Sequence, residues 1–86
     1  MRKVVFEEDA LGHLSYWAKT DVKILKKIIQ IAENTAKTPF EGIGKPEPLK
    51  GNLSGYWSRR ITDEHRFIYK ITEDAIFVAL CRYHYE

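Results

Sequence analysis

Apolar residues along this chain change their spacing, and the changes divide it into elements. Val4, Val5 and Phe6 follow one another within residues 2–6 and predict a short first strand. Glu7, Glu8 and Asp9 come next and put negative charge where the first turn of a helix is electropositive. Ala10, Leu11, Leu14, Trp17 and Ala18 then recur at intervals of three and four, which is one face of a helix ending near Thr20. His13 borders that face and reads as a boundary histidine. Thr20-Asp21 can accept from the free amides of a second helix reaching about Lys37. Its apolar stripe is Val22, Leu25, Ile28, Ile29, Ala32 and Ala36, widened by Ile24 and Ile31. Lys23, Lys26, Lys27, Gln30, Glu33 and Lys37 take the solvated side.

Proline and glycine punctuate Thr38 to Pro46, which must be a loop. Strand-like runs follow from Tyr56 to Thr62, Arg66 to Ile71 and Ala75 to Tyr83, and Leu49 to Leu53 can add a short one. The connections Asp63-Glu64-His65 and Thr72-Glu73-Asp74 are short and polar, which argues antiparallel hairpins. The expected architecture is β-α-α-β-β-β, an α+β domain over residues 1–86 with two helices packed on one face of a mostly antiparallel sheet.

Alternation assigns the sheet faces. Trp57, Arg59 and Ile61 share a side, and Trp57 and Ile61 select it as the core side. Arg60 then faces outward with Tyr56 and Ser58, while Arg59 is expected at the core edge with its stem packed and its head reaching out. Arg66, Ile68 and Lys70 share a side in the next run. A three-residue hairpin loop would pair Thr72 with Ile76 and so Arg66 with Arg82, keeping His84 on the same face. A two-residue loop would pair Arg66 with Cys81 and turn His84 away. Sequence leaves both registers open.

Composition adds constraints. With 44% hydrophobic residues the chain has the material for a packed interior, and its net charge of +2 excludes a polycationic coat. Between residues 45 and 70, however, six basic residues stand against three acidic ones, so this segment alone exceeds the excess of the whole chain and predicts a local anion-binding surface. The single cysteine, Cys81, lies in an apolar run and reads as a small core residue. His13, His65 and His84 have no spacing that suggests a metal cage, so neither a metal nor another cofactor is expected. No apolar run approaches membrane-spanning length, and a cytoplasmic protein is expected.

Glu47 lies between Pro46 and Pro48, which stiffen the backbone and bias it toward extended angles. Alone it would be a solvated loop glutamate, as Arg66 alone would be a surface ion-pair partner and His84 an inert terminal histidine. Together they are chemically complementary. Cleaving RNA through its own 2'-hydroxyl needs a group to take that proton, a group to protonate the departing 5'-oxygen, and cationic donors for the charge on phosphorus. A guanidinium suits the last role, and tyrosines such as Tyr85 and Tyr83 can stack on an unpaired base.

The same residues carry a family likeness. Lys-Thr-Pro-Phe-Glu-Gly-Ile-Gly-Lys-Pro-Glu-Pro-Leu-Lys, Asn-Leu-Ser-Gly-Tyr-Trp-Ser-Arg-Arg-Ile-Thr, Glu-His-Arg and Cys-Arg-Tyr-His-Tyr resemble the YoeB (Txe) branch of the RelE toxin superfamily over nearly the whole chain. The resemblance implies the RelE fold and a ribosome-dependent endoribonuclease that cuts messenger RNA in the A site, forms homodimers and is neutralised by a YefM-like antitoxin. It assigns Glu47 as general base, His84 as general acid, Arg66 as stabiliser of the phosphorane-like charge and Tyr85 as a substrate-orienting group. Lys50 and Arg60, with Arg59 beside them, would contact RNA phosphates. Family members typically end at the tyrosine, whereas this chain continues with Glu86. The competing readings are a ParE-like toxin of the same fold that blocks DNA gyrase by protein contact, and a plain RNA-binding module.

Overall fold

The computed structural model describes residues 1–84; Tyr85 and Glu86 lie outside the described residues. The elements are β1 (Lys3–Phe6), α1 (Glu8–Thr20), α2 (Val22–Lys37), β2 (Glu47–Pro48), a short 3-10 turn (Gly51–Leu53), β3 (Tyr56–Arg60), β4 (Arg66–Ile71) and β5 (Ala75–Leu80). The strands form one sheet in the order β1-β5-β4-β3-β2, in which β1 runs parallel to β5 and every other pairing is antiparallel. The expected α+β architecture is therefore present, with the short extra strand at Glu47–Pro48 instead of within Leu49–Leu53.

Asp21 links the two helices. Its amide closes α1 on the Trp17 carbonyl at 2.8 Å, and its side chain accepts from the amides of Lys23 and Ile24 at 3.1 and 3.4 Å, capping α2. Both helices lie on one face of the sheet. Ala10 and Trp17 of α1 and Ile28, Ile31 and Ala32 of α2 meet Ile61, Phe67, Tyr69, Ile76, Val78 and Cys81. The buried stripe of α2 is rotated from the expected one. It centres on Ile28, Ile31 and Thr35, while Val22 and Ile29 are exposed. Thr35 is tolerated there because its hydroxyl donates to the Ile31 carbonyl at 2.7 Å, so no polar group is left unpaired. Leu11 of α1 is also exposed, at 61%.

The hairpin between β4 and β5 realises neither simple register. Ile71 pairs with Ile76, Lys70 with Phe77 and Tyr69 with Val78, and the Thr72 amide donates to the Ala75 carbonyl at 2.9 Å, leaving Glu73 and Asp74 at the tip. That is the two-residue loop. A bulge then shifts the pairing by one, so that Ile68 faces Leu80. One extra residue on the bulged strand reverses which face its side chains take. Ile76 and Val78 consequently face the helices, whereas Leu80 faces away with Ile68. Pairing stops at Leu80, earlier than the expected Tyr83, because Cys81 to Tyr83 bend away and Tyr83 has a φ of 74°.

Arg59 corrects an expectation. Its side chain does not reach out from the core edge to meet RNA; it is 0% exposed. Among the described residues the guanidinium donates to the Tyr69 hydroxyl (3.1 Å), Asn34 Oδ1 (2.6 Å) and the carbonyls of Ile43 (3.1 Å), Thr38 (2.6 Å) and Glu41 (3.0 Å). Tyr69 in turn donates to the Pro39 carbonyl at 2.9 Å. The loop after α2 curls around this one cation, which supplies donors in the fixed fork that several converging carbonyls require. Gly44 completes the wrap. Its φ is +80°, its carbonyl accepts from the Arg60 amide at 2.6 Å, and a Cβ there would stand 3.0 Å from the Arg60 carbonyl oxygen and 3.1 Å from Arg59 Cβ.

Replacing Arg59 with lysine would leave several of these acceptors buried and unpaired. Arg59→Lys should lower the unfolding free energy in urea by about 3 kcal/mol or more, and a loss under about 1 kcal/mol would contradict the hub assigned to this side chain.

Candidate active site

Three strand positions build the centre of the candidate site. Glu47 pairs with Ser58, Ser58 with Ile68, and Ile68 with Leu80, so these four form one row across the face turned away from the helices. Two residues further along β3, about 6.6 Å away, Arg60 is directly opposite Arg66 and projects to the same face. Glu47, Arg60 and Arg66 are thereby brought together by strand register alone. Pro48 follows Glu47 on an edge strand, where its lack of an amide donor costs no ladder bond.

The two arginines differ in freedom. Arg60 is exposed, whereas Arg66 is only 9% exposed. The Nη1 of Arg66 donates to the carbonyls of Thr62 (2.7 Å), Asp63 (3.1 Å) and His65 (3.1 Å), all in the turn between β3 and β4. Three bonds from one corner orient the whole planar group. Two like charges directly opposite would destabilise a bare strand pair. The carbonyls gathered on Arg66 offset that cost. Lys50 lies on the exposed segment between β2 and the 3-10 turn, outside the paired row. Further along the same face, Lys70 Nζ rests over the Tyr56 and Phe77 rings at 5.7 and 5.9 Å.

The segment that leads to His84 is fastened at several points. The Tyr83 carbonyl accepts from the Arg66 amide at 2.9 Å, and the Tyr83 amide donates to His65 Nδ1 at 2.9 Å. The Cys81 amide donates to His13 Nδ1 at 3.1 Å, and its carbonyl accepts from Trp17 Nε1 at 2.9 Å. Arg82 lies over the Tyr16 ring at 3.5 Å. His13, Tyr16 and Trp17 stand three and four residues apart, so one edge of α1 holds the tail. Tyr85, the fourth residue of the expected catalytic set, lies outside the described residues.

The electrostatics are set mainly by burial. Burial, with the Arg82 charge in support and Asp9 opposing, holds the His13 pKa below the ordinary histidine value. Burial pushes the Cys81 thiol up to about 12, so this cysteine is a core residue as expected. Among the described residues there is no cluster of three His, Cys, Asp or Glu that could hold a metal ion. No described helix is long and apolar enough to cross a membrane.

Residues 6–85 match the family model of YoeB-like toxins of bacterial type II toxin-antitoxin systems. The chain belongs to the YoeB toxin family. It is 55% identical over 83 residues to the toxin YoeB of Escherichia coli strain CFT073, covering 96% of this chain and 99% of that one. It superimposes with a TM-score of 0.90 at 41% identity on a YoeB dimer from Staphylococcus aureus, covering 98% of each chain. A heterotetrameric YoeB-YefM toxin-antitoxin complex from the same organism gives a TM-score of 0.88 at 41% identity, covering 99% of each chain. The RelE-like fold and the family expected from the sequence are both present.

Within this YoeB-family chain, reasoning from sequence missed the work of His13 and His65. The carbonyl and amide groups of residues 81–83 that they and Trp17 hold are far away in sequence, and nothing local announces such a contact. The one available signal was the run His13, Tyr16 and Trp17, spaced along a single edge of α1.

His13 yields a stability prediction. Its folded-state pKa is depressed, so the unfolded chain binds the proton first, and the stabilisation it contributes is complete above about 6.5 and is lost as pH falls through the lower folded value. Urea unfolding at about pH 7.5 and about pH 5 should therefore show a smaller acid-induced loss of stability in His13→Asn than in the wild type. An equal or greater loss in the variant would contradict the assignment.

Proposed function

We propose that this chain is a ribosome-dependent endoribonuclease that cuts messenger RNA in the A site and so arrests translation. The observation that carries the reading is the common face of Glu47, Arg60 and Arg66, with the backbone just before His84 bonded to the Arg66 amide. Family membership supports it independently.

In this reading the Glu47 carboxylate takes the proton of a ribose 2'-hydroxyl. The freed oxygen attacks the adjacent phosphorus, the bond from phosphorus to the 5'-oxygen breaks, and His84 delivers a proton to that leaving oxygen. The products are a 2',3'-cyclic phosphate and a 5'-hydroxyl. Arg66, oriented from its Nη1 corner, presents a guanidinium to the charge that accumulates on the phosphorane-like centre. Arg60 and Lys50 contact neighbouring phosphates, where exposure leaves them accessible to a backbone. Tyr85 orients the substrate. Both proton transfers use protein side chains, so the step needs no metal ion.

The partners follow from the relatives. A YefM-like antitoxin neutralises the toxin, and two copies associate, as in the YoeB-YefM complex and the YoeB dimer of Staphylococcus aureus. Ribosome and message supply the substrate in a fixed geometry, which suits a catalyst whose own face is open.

Primer extension on a defined message bound to ribosomes tests the reading. Wild-type protein should cut within the A-site codon, and Glu47→Gln and His84→Gln should each slow that cut by about 100-fold or more while unfolding like the wild type. An uncut message, from wild-type protein that still arrests growth, would overturn it and point to a toxin acting by protein contact. An undiminished cut in either variant would remove that residue from the chemistry.

A further inference from the structure

His13 and His65 both use the same ring atom in the same way. In each, Nδ1 accepts a backbone amide of the last described segment, Cys81 at 3.1 Å and Tyr83 at 2.9 Å. A ring nitrogen that accepts from an N–H carries no proton, so both side chains must be neutral with the proton on Nε2. They come from different elements, His13 from α1 and His65 from the turn that also orients Arg66. The rings are themselves held, His65 edge-on to Trp17 at 4.8 Å and His13 edge-on to Tyr83 at 5.9 Å.

We infer that His65 and His13 are positioning residues of the candidate active site, neutral imidazoles whose bare Nδ1 atoms hold the Tyr83 and Cys81 amides and thereby fix the backbone from which His84 projects. The inference rests on the proposed nuclease reading for its effect on catalysis and on geometry alone for the contact itself. Strand pairing ends at Leu80, so the sheet ladder no longer aligns the chain at residues 81–83. Side chains take over that role. His65 is the more direct of the two, because it binds the amide of the residue whose carbonyl is already on Arg66. One residue thus has its N–H on the turn's histidine and its C=O on the catalytic arginine's backbone, which couples the placement of His84 to that of Arg66. Misplacement of a catalytic group by about 1 Å can cost about 100-fold in rate.

Asparagine and glutamine separate positioning from simple packing. Asn Oδ1 stands near the place of histidine Nδ1 and restores an acceptor for the Tyr83 amide, whereas the glutamine amide stands near the place of Nε2 and does not. His65→Gln should lower kcat for ribosome-dependent cleavage by about tenfold to about 100-fold with KM for the ribosomal complex nearly unchanged. His65→Asn should recover most of that loss. Nitrogen NMR of the free, full-length protein at neutral pH should show His65 Nδ1 unprotonated and coupled through a hydrogen bond to the Tyr83 amide. Equal kcat for the asparagine and glutamine variants, or a proton on His65 Nδ1, would overturn the inference. Should wild-type protein fail to cleave at all, the nuclease reading fails, while the NMR result on the unmodified chain still decides whether the clamp exists.

Discussion

A single buried cation organises the half of the molecule that carries Glu47. The Arg59 guanidinium is fully enclosed and bonded to neutral oxygens at the end of α2, along the following loop and on Tyr69 of β4. Removing a guanidinium from water costs several kcal/mol, which is offset only when its donors are all met in good geometry. The charge therefore demands a closed cup of acceptors, and the cup is the loop itself. Folding the loop around Arg59 carries the chain past Gly44, against the Arg59–Arg60 backbone, and delivers Glu47 to the edge of β3. The stiff Pro46-Glu47-Pro48 segment then needs only two ladder positions to hold its register.

The other half of the site depends on an irregularity. A regular two-residue hairpin would run β5 in one register throughout, and the bulge between Val78 and Leu80 changes that register after the core positions Ile76 and Val78 are filled. Core packing and site assembly thus use different registers of the same strand. Past Leu80 the chain leaves the ladder, and the tail is held by His13, Trp17, His65 and the Arg66 amide. Candidate groups on an edge strand, on a central strand and at the end of the tail are thus each fixed by a different kind of bond.

Much of this was legible in the sequence, and the failures have physical causes. Helix periods, caps and the alternating strands gave the α+β architecture, since each is a local pattern. The outward face of Arg60 followed from alternation as well, whereas Glu47 and Arg66 are placed beside it by the β2–β3 and β3–β4 pairings, which sequence did not fix. Arg59 was misread although alternation had already put it between Trp57 and Ile61, because an unpaired arginine is expected to extend its head to water; its acceptors come from residues 34–43 and from Tyr69, and sequence does not bring the loop near. The register of β5 was open because a bulge has no distinct signature in Phe77-Val78-Ala79-Leu80, where every residue suits either face. The histidine contacts were invisible for the same reason as the Arg59 cup, since both partners of each bond are remote.

The central claim is that the face carrying Glu47 and Arg66 cleaves RNA through the neighbouring 2'-hydroxyl. Its most direct test is a ribosome-bound message in which the single nucleotide 5' to the cut carries 2'-deoxyribose, compared with the unmodified message. The account predicts that the unmodified message ends in a 2',3'-cyclic phosphate and that the deoxy message stays intact. A deoxy message cut at the same place and rate would contradict it, because the attacking group would then not be the ribose hydroxyl that Glu47 is proposed to deprotonate.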